Sequence, residues 1–513
     1  MSDISVGERR SVPGFNPRRP WWTRRRNLLA VGVMVAAIIL VIVVLEPWRT
    51  TRVTDGSEIF ADYLDRVERL ILAENKSVDN SGQQFVSIAF MMPIRRDEND
   101  PVSDEAVLHQ LQGAYLAQYW SNHPDGRPEF GSSRPLIKIL LADSGPLGTA
   151  WKSTVDQLRD QAGREHLVAV AGLGFSLTAT QEAVTALDSA EIAMVASVLT
   201  SNGITARNLW RVAPTNSDQA AAILKYVETT PEWKSATREN PYTAYLVQDK
   251  AARENYSADL GKAYRELFPA DDAHRLLSAQ GEFDSSKPAA GNALDAQVNM
   301  TCAIRPQAVL FAGRSRELEL LVRALAGRWC AHDIPVTIVT GDDTADLSVP
   351  SGPHRNLLWQ DQENIRVFYS TYATPLTWEK HPDFAPESVL KKFGNCLQCF
   401  QGLFSDPLDD GYAIMSYDAV VTAVKAVQGV ASPANNFMPP ADALPNGFYK
   451  INSANPVPGV SGLICYQGEE GGSGHVPFNK AVPIMQLNPD GQSVLVALSS
   501  RLGAPPSQMC PPS

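Results

Sequence analysis

Cysteine is scarce in this chain of 513 residues, and none of its six cysteines lies among the first 301 residues. No cysteine therefore stands near the long apolar run at residues 28–45, which argues against a lipid-anchored protein. Positive charge is also deficient, because 45 Lys and Arg face 56 Asp and Glu and leave a net charge of -11. Such an acidic chain is a poor candidate for binding nucleic acid, which favours a basic surface.

Sequence motifs of the common enzyme classes are missing as well. The chain has no HExxH, no GxSxG and no GxxxxGK(S/T), and its eight histidines are scattered. These absences argue against a zinc hydrolase, a hydrolase with a nucleophile elbow and a P-loop protein. We predict that the protein is not an enzyme and has neither a metal site nor a cofactor, because no nucleophile, base and orienting group can be assembled from the motifs.

The apolar run at residues 28–45 carries no charged or strongly polar side chain. As a helix it would span about 27 Å, close to the ~30 Å hydrocarbon layer of a membrane. Seven arginines precede it, so the remainder of the chain should lie outside the cell. A cleaved secretory signal is the alternative, but its apolar core would be shorter and an A-x-A-like site should follow. The sequence predicts a cytoplasmic basic tail at residues 1–27, a single transmembrane helix at 28–45 and a stalk at 46–82.

All six cysteines follow the predicted membrane span, in a compartment where disulfides persist. We predict that sequence neighbours pair, although the sequence alone leaves other connectivities open. For the CxxC motif the alternative is a redox dithiol or half of a zinc site, but no second CxxC or paired histidines accompany it. The predicted pairs are Cys302–Cys330, Cys396–Cys399 and Cys465–Cys510.

Beyond residue 82, short apolar runs alternate with amphipathic stretches. Continuous apolar runs are typical of parallel strands that are covered on both faces, and repeated strand–helix units build doubly wound sheets. The strands are too many for one small sheet, so we predict an α/β protein with two such domains. Strands are predicted at residues 85–91, 136–141, 167–171, 192–198, 243–247, 308–311, 336–339 and 364–369. Helices are predicted at residues 57–74, 104–120, 151–162, 180–187, 218–228, 256–267, 317–326 and 411–428.

Polar residues follow several of these strands, at the edge where doubly wound sheets bind ligands. Ser176 and Thr178 stand after a Gly-Leu-Gly turn at a predicted helix start, where unpaired backbone N–H groups suit a carboxylate. A capping box from Thr178 to Gln181 is the alternative, and it needs no ligand. Thr200 follows the next strand, at the same edge.

Two further candidates follow later strands. Asp342 and Asp343 could pair with the ammonium group of a ligand, which would give a site for a zwitterion; a solvated turn is the alternative. Arg314 follows an Ala-Gly turn, and an ordinary surface arginine is the alternative there.

The order of these segments resembles the type I periplasmic binding proteins, specifically the branched-chain amino-acid (Leu/Ile/Val) receptor family of ABC importers. The resemblance runs from residue 83 to residue 491 and is strongest over residues 167–227. That stretch includes the glycine-hydroxyl turn, the loop Thr200-Ser-Asn-Gly-Ile-Thr205 and the run Leu209-Trp-Arg-Val-Ala-Pro-Thr-Asn-Ser-Asp-Gln-Ala220. Supporting similarities lie at residues 308–313, 336–343, 412–419 and 459–464.

The resemblance implies two doubly wound parallel-sheet lobes that are joined by three crossing strands and close on a ligand. Lobe 1 would comprise residues 83–215 and 370–455, lobe 2 residues 216–369 and 456–500, and a tail residues 501–513. The implied ligand-binding residues are Ser176, Thr178 and Thr200 for a carboxylate, Val198 for a backbone contact, Asp342 or Asp343 for an ammonium group, and Arg314, which stands where an aromatic residue is usual.

These features predict a membrane-anchored solute-binding protein for an amino acid or a similar small polar metabolite. Its partner in the membrane would be an ABC permease, and no nucleic acid would bind. The alternative is a sensor or structural receptor that uses the same fold to bind a partner protein or a cell-wall fragment.

Overall fold

The computed structural model describes residues 51–97, 100–101, 103–124, 135–330, 335–348, 364–381, 404, 406–431, 439–467, 475–503 and 510. The chain divides into residues 1–51 and a compact body, 52–513. The predicted basic tail and transmembrane helix lie outside the described residues, as do Cys396 and Cys399. Among the residues that are described, no helix is both long enough and apolar enough to cross a membrane.

The body contains two large β-sheets. Most of their strands are buried along almost their whole length, which explains the continuous apolar runs of the sequence. In chain order the strands are β1 (Val53–Thr54), β2 (Phe85–Met92), β3 (Leu136–Asp143), β4 (Leu167–Gly172), β5 (Ala193–Ala196), β6 (Leu209–Arg211), β7 (Tyr242–Asp249), β8 (His274–Leu276), β9 (Gly281–Phe283), β10 (Ala308–Ala312), β11 (Val336–Thr340), β12 (Ile365–Ser370), β13 (Val457–Gly459), β14 (Gly462–Ile464), β15 (Val482–Leu487) and β16 (Ser493–Ser499).

Helices fill most of the connections between these strands, as expected for parallel sheets. In chain order they are α1 (Asp65–Ser81), α2 (Asp104–Asn122), α3 (Trp151–Gln161), α4 (Thr178–Ser189), α5 (Asn216–Val227), α6 (Pro231–Lys234), α7 (Asn255–Leu267), α8 (Ala290–Ile304), α9 (Ser315–Ala326), α10 (Pro375–Lys380), α11 (Tyr412–Val430) and α12 (Leu444–Tyr449).

The sheet of the first lobe has the order β1-β3-β2-β4-β5-β6, and that of the second lobe has the order β16-β15-β12-β11-β10-β7-β8, with β9 also paired to β7. The pairs from β2 to β6 and from β7 to β12 are parallel, whereas β1, β15 and β16 run antiparallel to their neighbours. In each sheet the chain moves to one side of its first long strand and then to the other. This doubly wound order creates a switch point between β2 and β4 and another between β7 and β10, where such folds bind ligands.

Three described segments run between the lobes. Residues 212–215 connect β6 to α5, residues 371–374 follow β12, and residues 475–481 lead into β15. The third segment is bound to the first lobe, because the backbone of His475 exchanges two hydrogen bonds with Leu209 and Arg211. The second segment is bound to β15, the strand that the third segment leads into, through the bond from Thr371 N–H to the carbonyl of Pro483. The predicted α/β fold with two doubly wound lobes is therefore confirmed.

Two of the predicted boundaries need correction. Residues 46–82 were expected to form a stalk, but β1 pairs with β3 and α1 buries Val67 and Ile71 in the first lobe. This packing explains the amphipathic pattern of α1, because the apolar face of a helix must be buried against another surface. The second lobe was expected to resume at residue 456, but the hairpin β13–β14 packs its Val457 and Ile464 into the core of the first lobe.

Two of the three predicted disulfides are present. Cys302 at the end of α8 pairs with Cys330, with 5.5 Å between their Cα atoms. Cys465 pairs with Cys510 at a Cα separation of 6.3 Å, which ties the predicted C-terminal tail to the segment after β14. The Cys396–Cys399 pair stays a prediction, because both residues lie outside the described part of the chain.

Candidate functional site

The two lobes have separate hydrophobic cores. Four clusters of buried apolar side chains can be traced in the described residues, two built on the first sheet and two on the second. Each cluster draws its members from one lobe and its flanking connections. At the sheet edges, hydrogen bonds join the lobes, among them those from the N–H of Thr178 to Arg253 and from the N–H of Tyr256 to Ser176, so we expect that the lobes can move apart without opening a core.

Ser176 and Thr200 lie together at the switch-point edge of the first lobe, as the sequence predicts. Ser176 Oγ accepts hydrogen bonds from the backbone N–H groups of Thr200 at 3.1 Å and Ser201 at 3.0 Å. Thr200 Oγ1 is buried and has no hydrogen-bond partner among the described residues. The side chain of Val198 is buried in the core of the same lobe, with 2% exposure.

Thr178 faces the second lobe across the gap between the two sheet edges. Its backbone N–H donates to the carbonyl of Arg253 at 3.1 Å. Its hydroxyl lies 2.9 Å from Asn255 Oδ1 and 3.1 Å from the carbonyl of Ala252. The alternative of a capping box does not form, because Leu177 is the cap of α4 and no side chain caps it. Of the hydroxyls expected to bind a ligand carboxylate, those of Ser176 and Thr178 thus contact the protein itself, and that of Thr200 has no hydrogen-bond partner in the described part of the chain.

Tyr256 joins the predicted residues of the two lobes, although sequence reasoning did not single it out. It lies in the first turn of α7, and its backbone N–H donates to the carbonyl of Ser176 at 3.1 Å. Its ring lies 4.5 Å below the guanidinium of Arg314, and its hydroxyl accepts from the N–H of Asp343 at 3.4 Å. Ser176 therefore lies on one side of Tyr256, and the charged residues of the second lobe lie on the other.

Arg314 and Asp343 form a buried ion pair. Arg314 Nη1 donates to Asp343 at 2.8 Å, and Nε donates to Glu254 at 2.9 Å. Asp343 also accepts the N–H of Ser315 at 2.6 Å. Burial alone would lower the pKa of Arg314, but the charges of Glu254 and Asp343 outweigh burial and raise that pKa. Because Arg314 neutralises Asp343, this carboxylate has its cation within the protein, and the alternative of a surface arginine is wrong.

Asp342 is different, because no cation of the described residues forms an ion pair with it. Its carboxylate is buried, with 1% exposure, and burial raises its pKa to about 7. The hydroxyl of Tyr372 lies close enough to lower that pKa in part, but no donor among the described residues meets either carboxylate oxygen in hydrogen-bond geometry. The alternative of a solvated turn is therefore wrong for Asp342.

Aromatic side chains extend from Asp342 into the first lobe. The rings of Tyr372 and Tyr412 lie 6.0 Å apart, and the ring of Phe175 lies 6.2 Å from that of Tyr412. Tyr412 is fully buried, and its hydroxyl has no partner in the described part of the chain. This cluster closes the space between the turn before α4 and the loop after β11.

Three residues of the site were not predicted from the sequence: Glu254, Tyr256 and Tyr412. Glu254 and Tyr256 lie in the loop and helix start after β7, another carboxyl edge of a parallel strand. Tyr412 begins α11 and stands in a segment that the family resemblance already marks. The sequence therefore marked the positions of all three residues, but nothing in their side chains indicated a role in ligand binding.

No family model matches the sequence, and no curated protein matches it. Solved structures do resemble the protein. The branched-chain amino acid transporter substrate-binding protein LivJ from Streptococcus pneumoniae, in complex with isoleucine, has a TM-score of 0.55 at 17% identity, over 81% of this chain and 99% of its own. An ABC transporter substrate-binding protein from Aeropyrum pernix has a TM-score of 0.57 at 14% identity, over 82% and 96%.

A solute-binding protein of an ABC transporter from R. palustris, in complex with benzoate, also resembles this chain. Its TM-score is 0.53 at 11% identity, over 81% of this chain and 97% of its own. These neighbours are solute-binding proteins and not enzymes. At such low identity the similarity concerns the fold, and this chain has the two-lobed α/β fold of the type I periplasmic binding proteins.

Proposed function

We propose that this protein is a solute-binding protein that captures an amino acid or a similar small polar metabolite between its lobes. The observation that supports this proposal is the separation of the hydrophobic cores, together with two switch-point edges that face each other. Polar contacts exchange readily with water, so the lobes can open, admit a solute and close again. The structural neighbours named above are solute-binding proteins, which agrees with this proposal.

The proposed ligand-binding residues are those that the sequence indicated. On the first lobe they are Ser176, Thr178, Val198 and Thr200, and on the second lobe Arg314, Asp342 and Asp343. Buried polar atoms without partners call for an explanation, and the hydroxyl of Thr200 and the carboxylate of Asp342 are two of them. When the lobes open, the backbone N–H and the hydroxyl of Thr178 would lose their contacts with the loop after β7 and could bind a solute instead.

The protein would act at the outer face of the cell membrane, held there by a single transmembrane helix at residues 28–45. An ABC permease is the proposed partner, which would accept the solute when the lobes open. A receptor that signals through a membrane partner is the second candidate. It is favoured by the pairing of Arg314 with Asp343, since an amino-acid carrier would keep such a carboxylate for the ammonium group of its ligand.

Thermal unfolding in the presence of amino acids and small organic acids tests the proposed binding. A ligand at ~100 times its dissociation constant should stabilise the protein by about 2.7 kcal/mol. The variant Thr178→Ala/Thr200→Ala should lose that shift, while Thr185→Ala, on the outer face of α4, should retain it. A ligand that binds the double variant with unchanged affinity would place the site elsewhere.

Uptake experiments separate the two candidates. Cells that lack the protein should lose uptake of the identified ligand if it serves a permease, and the intact gene should restore it. Unchanged uptake together with retained binding would favour the signalling receptor.

A further inference from the structure

A cavity of about 270 Å³ lies between the lobes, beside Arg314 and away from Ser176. We call it the rim cavity. The first lobe contributes the loop after β2, and the second lobe contributes the loops after β7, β9 and β10. The lining residues are Asp100, Pro101, Arg253, Glu254, Ser285, Ser286, Lys287, Pro288, Arg314, Arg316 and Glu317.

Three donors on the wall of the rim cavity have no hydrogen-bond acceptor among the described residues. Nη2 of Arg314 is the first, and its side chain is only 4% exposed. Nε of Arg253 lies 3.7 Å from Glu254, an ion-pair distance that is too long for a hydrogen bond. The hydroxyl of Ser285 is the third. Buried donors of this kind are costly unless an acceptor meets them.

The acidic residues of the wall differ from these donors, because two of them have hydrogen-bond partners within the protein. Asp100 accepts the backbone N–H groups of Asp97 at 2.8 Å and Leu147 at 2.6 Å. Glu254 accepts from Arg314. Burial raises the pKa of Glu317 to about 7, and the charge of Asp249 adds to that rise. The wall therefore offers unused donors, whereas two of its three acids already accept hydrogen bonds.

We propose that the rim cavity binds the carboxylate of a small organic acid, held by Arg314, Arg253 and Ser285. This inference rests on the proposed function, because both lobes line the cavity, and it moves the anion-binding end of the site from α4 to the second lobe. A carboxylate accepts hydrogen bonds at both oxygens and pairs well with guanidinium groups. Ligand pockets typically measure about 300–1,000 Å³, and the rim cavity lies just below this range, so it would accommodate only a small metabolite.

The carboxylate could belong to a simple organic acid or to an amino acid. An amino acid would direct its ammonium group to Glu317, which lines the same cavity. A simple acid would leave Glu317 without a ligand partner. The carboxylate contact is common to both ligands, and the amine tells them apart.

Calorimetry on the full-length protein in detergent tests the inference with four probes: sodium benzoate, benzamide, L-isoleucine and L-isoleucinamide. At least one of the two acids should bind, and its amide should bind at least tenfold more weakly. The variant Arg253→Gln/Ser285→Ala should weaken the acid about tenfold or more, since a bond to a charged group contributes about 1.5–3 kcal/mol. Arg314→Lys, which keeps the charge but not the planar donors, should do the same.

A matched control is Arg159→Gln/Ser189→Ala, two exposed residues on α3 and α4, which should bind as the wild type does. Binding of benzoate alone identifies simple acids, and binding of isoleucine alone identifies amino acids; both support the inference. Equal binding of acid and amide overturns it, and so does binding that is lost in Thr178→Ala/Thr200→Ala but kept in Arg253→Gln/Ser285→Ala. The latter result would leave the proposed function standing. Failure of both acids to bind also overturns the inference, while the wider thermal screen judges the proposed function independently.

Discussion

Asp259 on α7 offers the sharpest test of lobe opening. Its carboxylate accepts hydrogen bonds from the hydroxyl of Ser201 and, at 2.8 Å, from the backbone N–H of Gly203, both on the other lobe. A hydrogen bond to a charged group contributes about 1.5–3 kcal/mol, and this carboxylate is partly exposed, so we take about 2 kcal/mol for the two bonds together. Asp259→Ala should therefore shift the equilibrium toward the open state by ~30-fold.

Hydrogen exchange measures this shift at amides that Asp259 does not contact. The N–H groups of Thr178 and Tyr256 donate across the interface, to Arg253 and Ser176, and each becomes exposed when the lobes separate. In Asp259→Ala both should exchange about 30 times faster than in the wild type, provided that lobe opening controls their exchange.

The matched control for this experiment is Asp156→Ala, because Asp156 forms an exposed pair with Lys152 at 3.5 Å on the outer surface of α3, on its own lobe. In Asp156→Ala, the amides of Thr178 and Tyr256 should exchange at wild-type rates. If Gly203 loses protection in Asp259→Ala while Thr178 and Tyr256 keep theirs, the bonds of Asp259 hold a loop and not the lobes, and the reasoning is refuted.

Three further predictions concern stability. Burial raises the pKa of Asp342 from 3.8 to about 7, so the contribution of this carboxyl to the free energy of unfolding is complete below pH 4 and is lost as the pH rises through 7. In denaturant titrations between pH 5 and pH 8, Asp342→Asn should reduce this loss of stability; a pH profile equal to that of the wild type would contradict the prediction. Asp418→Ala removes the carboxylate that accepts the backbone N–H groups of Val460 and Ser461, and it removes the charge that favours the ammonium form of the buried Lys480. Because a hydrogen bond to a charged group contributes about 1.5–3 kcal/mol, urea unfolding should show a loss of about 3–5 kcal/mol, whereas a loss below ~1 kcal/mol would contradict this account. Replacing Cys465 and Cys510 with serine opens a loop of 45 residues and should cost up to about 4 kcal/mol, visible as a lower Tm under non-reducing conditions; an unchanged Tm would contradict this account.

Much of the fold could be predicted from the sequence because each buried strand corresponds to a short continuous run of mainly apolar residues. The run expected at residues 85–91 forms β2 (Phe85–Met92), and the one expected at residues 336–339 forms β11 (Val336–Thr340). Each strand is buried on both faces, so most of its positions are apolar, and this pattern can be recognised without knowledge of the partner strands. The helix α1 shows the limit, because its apolar stripe predicts a helix but not the lobe that covers it.

The candidate site was predicted in outline for a related reason. Strand ends locate the edge of a sheet, and Ser176, Thr178 and Thr200 do lie at that edge. The partners of these residues could not be read, because they depend on how two lobes meet. Thr178 contacts a loop 74 to 77 residues further along the chain, and Arg314 pairs with acids 29 and 60 residues away. A charge in the sequence does not say whether its counterion is a ligand or another side chain.

The three connections between the lobes have a consequence for affinity. Because His475 is bonded to β6 and Thr371 to Pro483, any rotation of the lobes would be confined to short stretches of backbone. The apparent dissociation constant of any solute equals its intrinsic value divided by the fraction of molecules in the binding-competent state. Substitutions in residues 212–215 that alter this fraction would therefore tune affinity without touching the solute, and selection could adjust the strength of capture separately from the choice of what is captured.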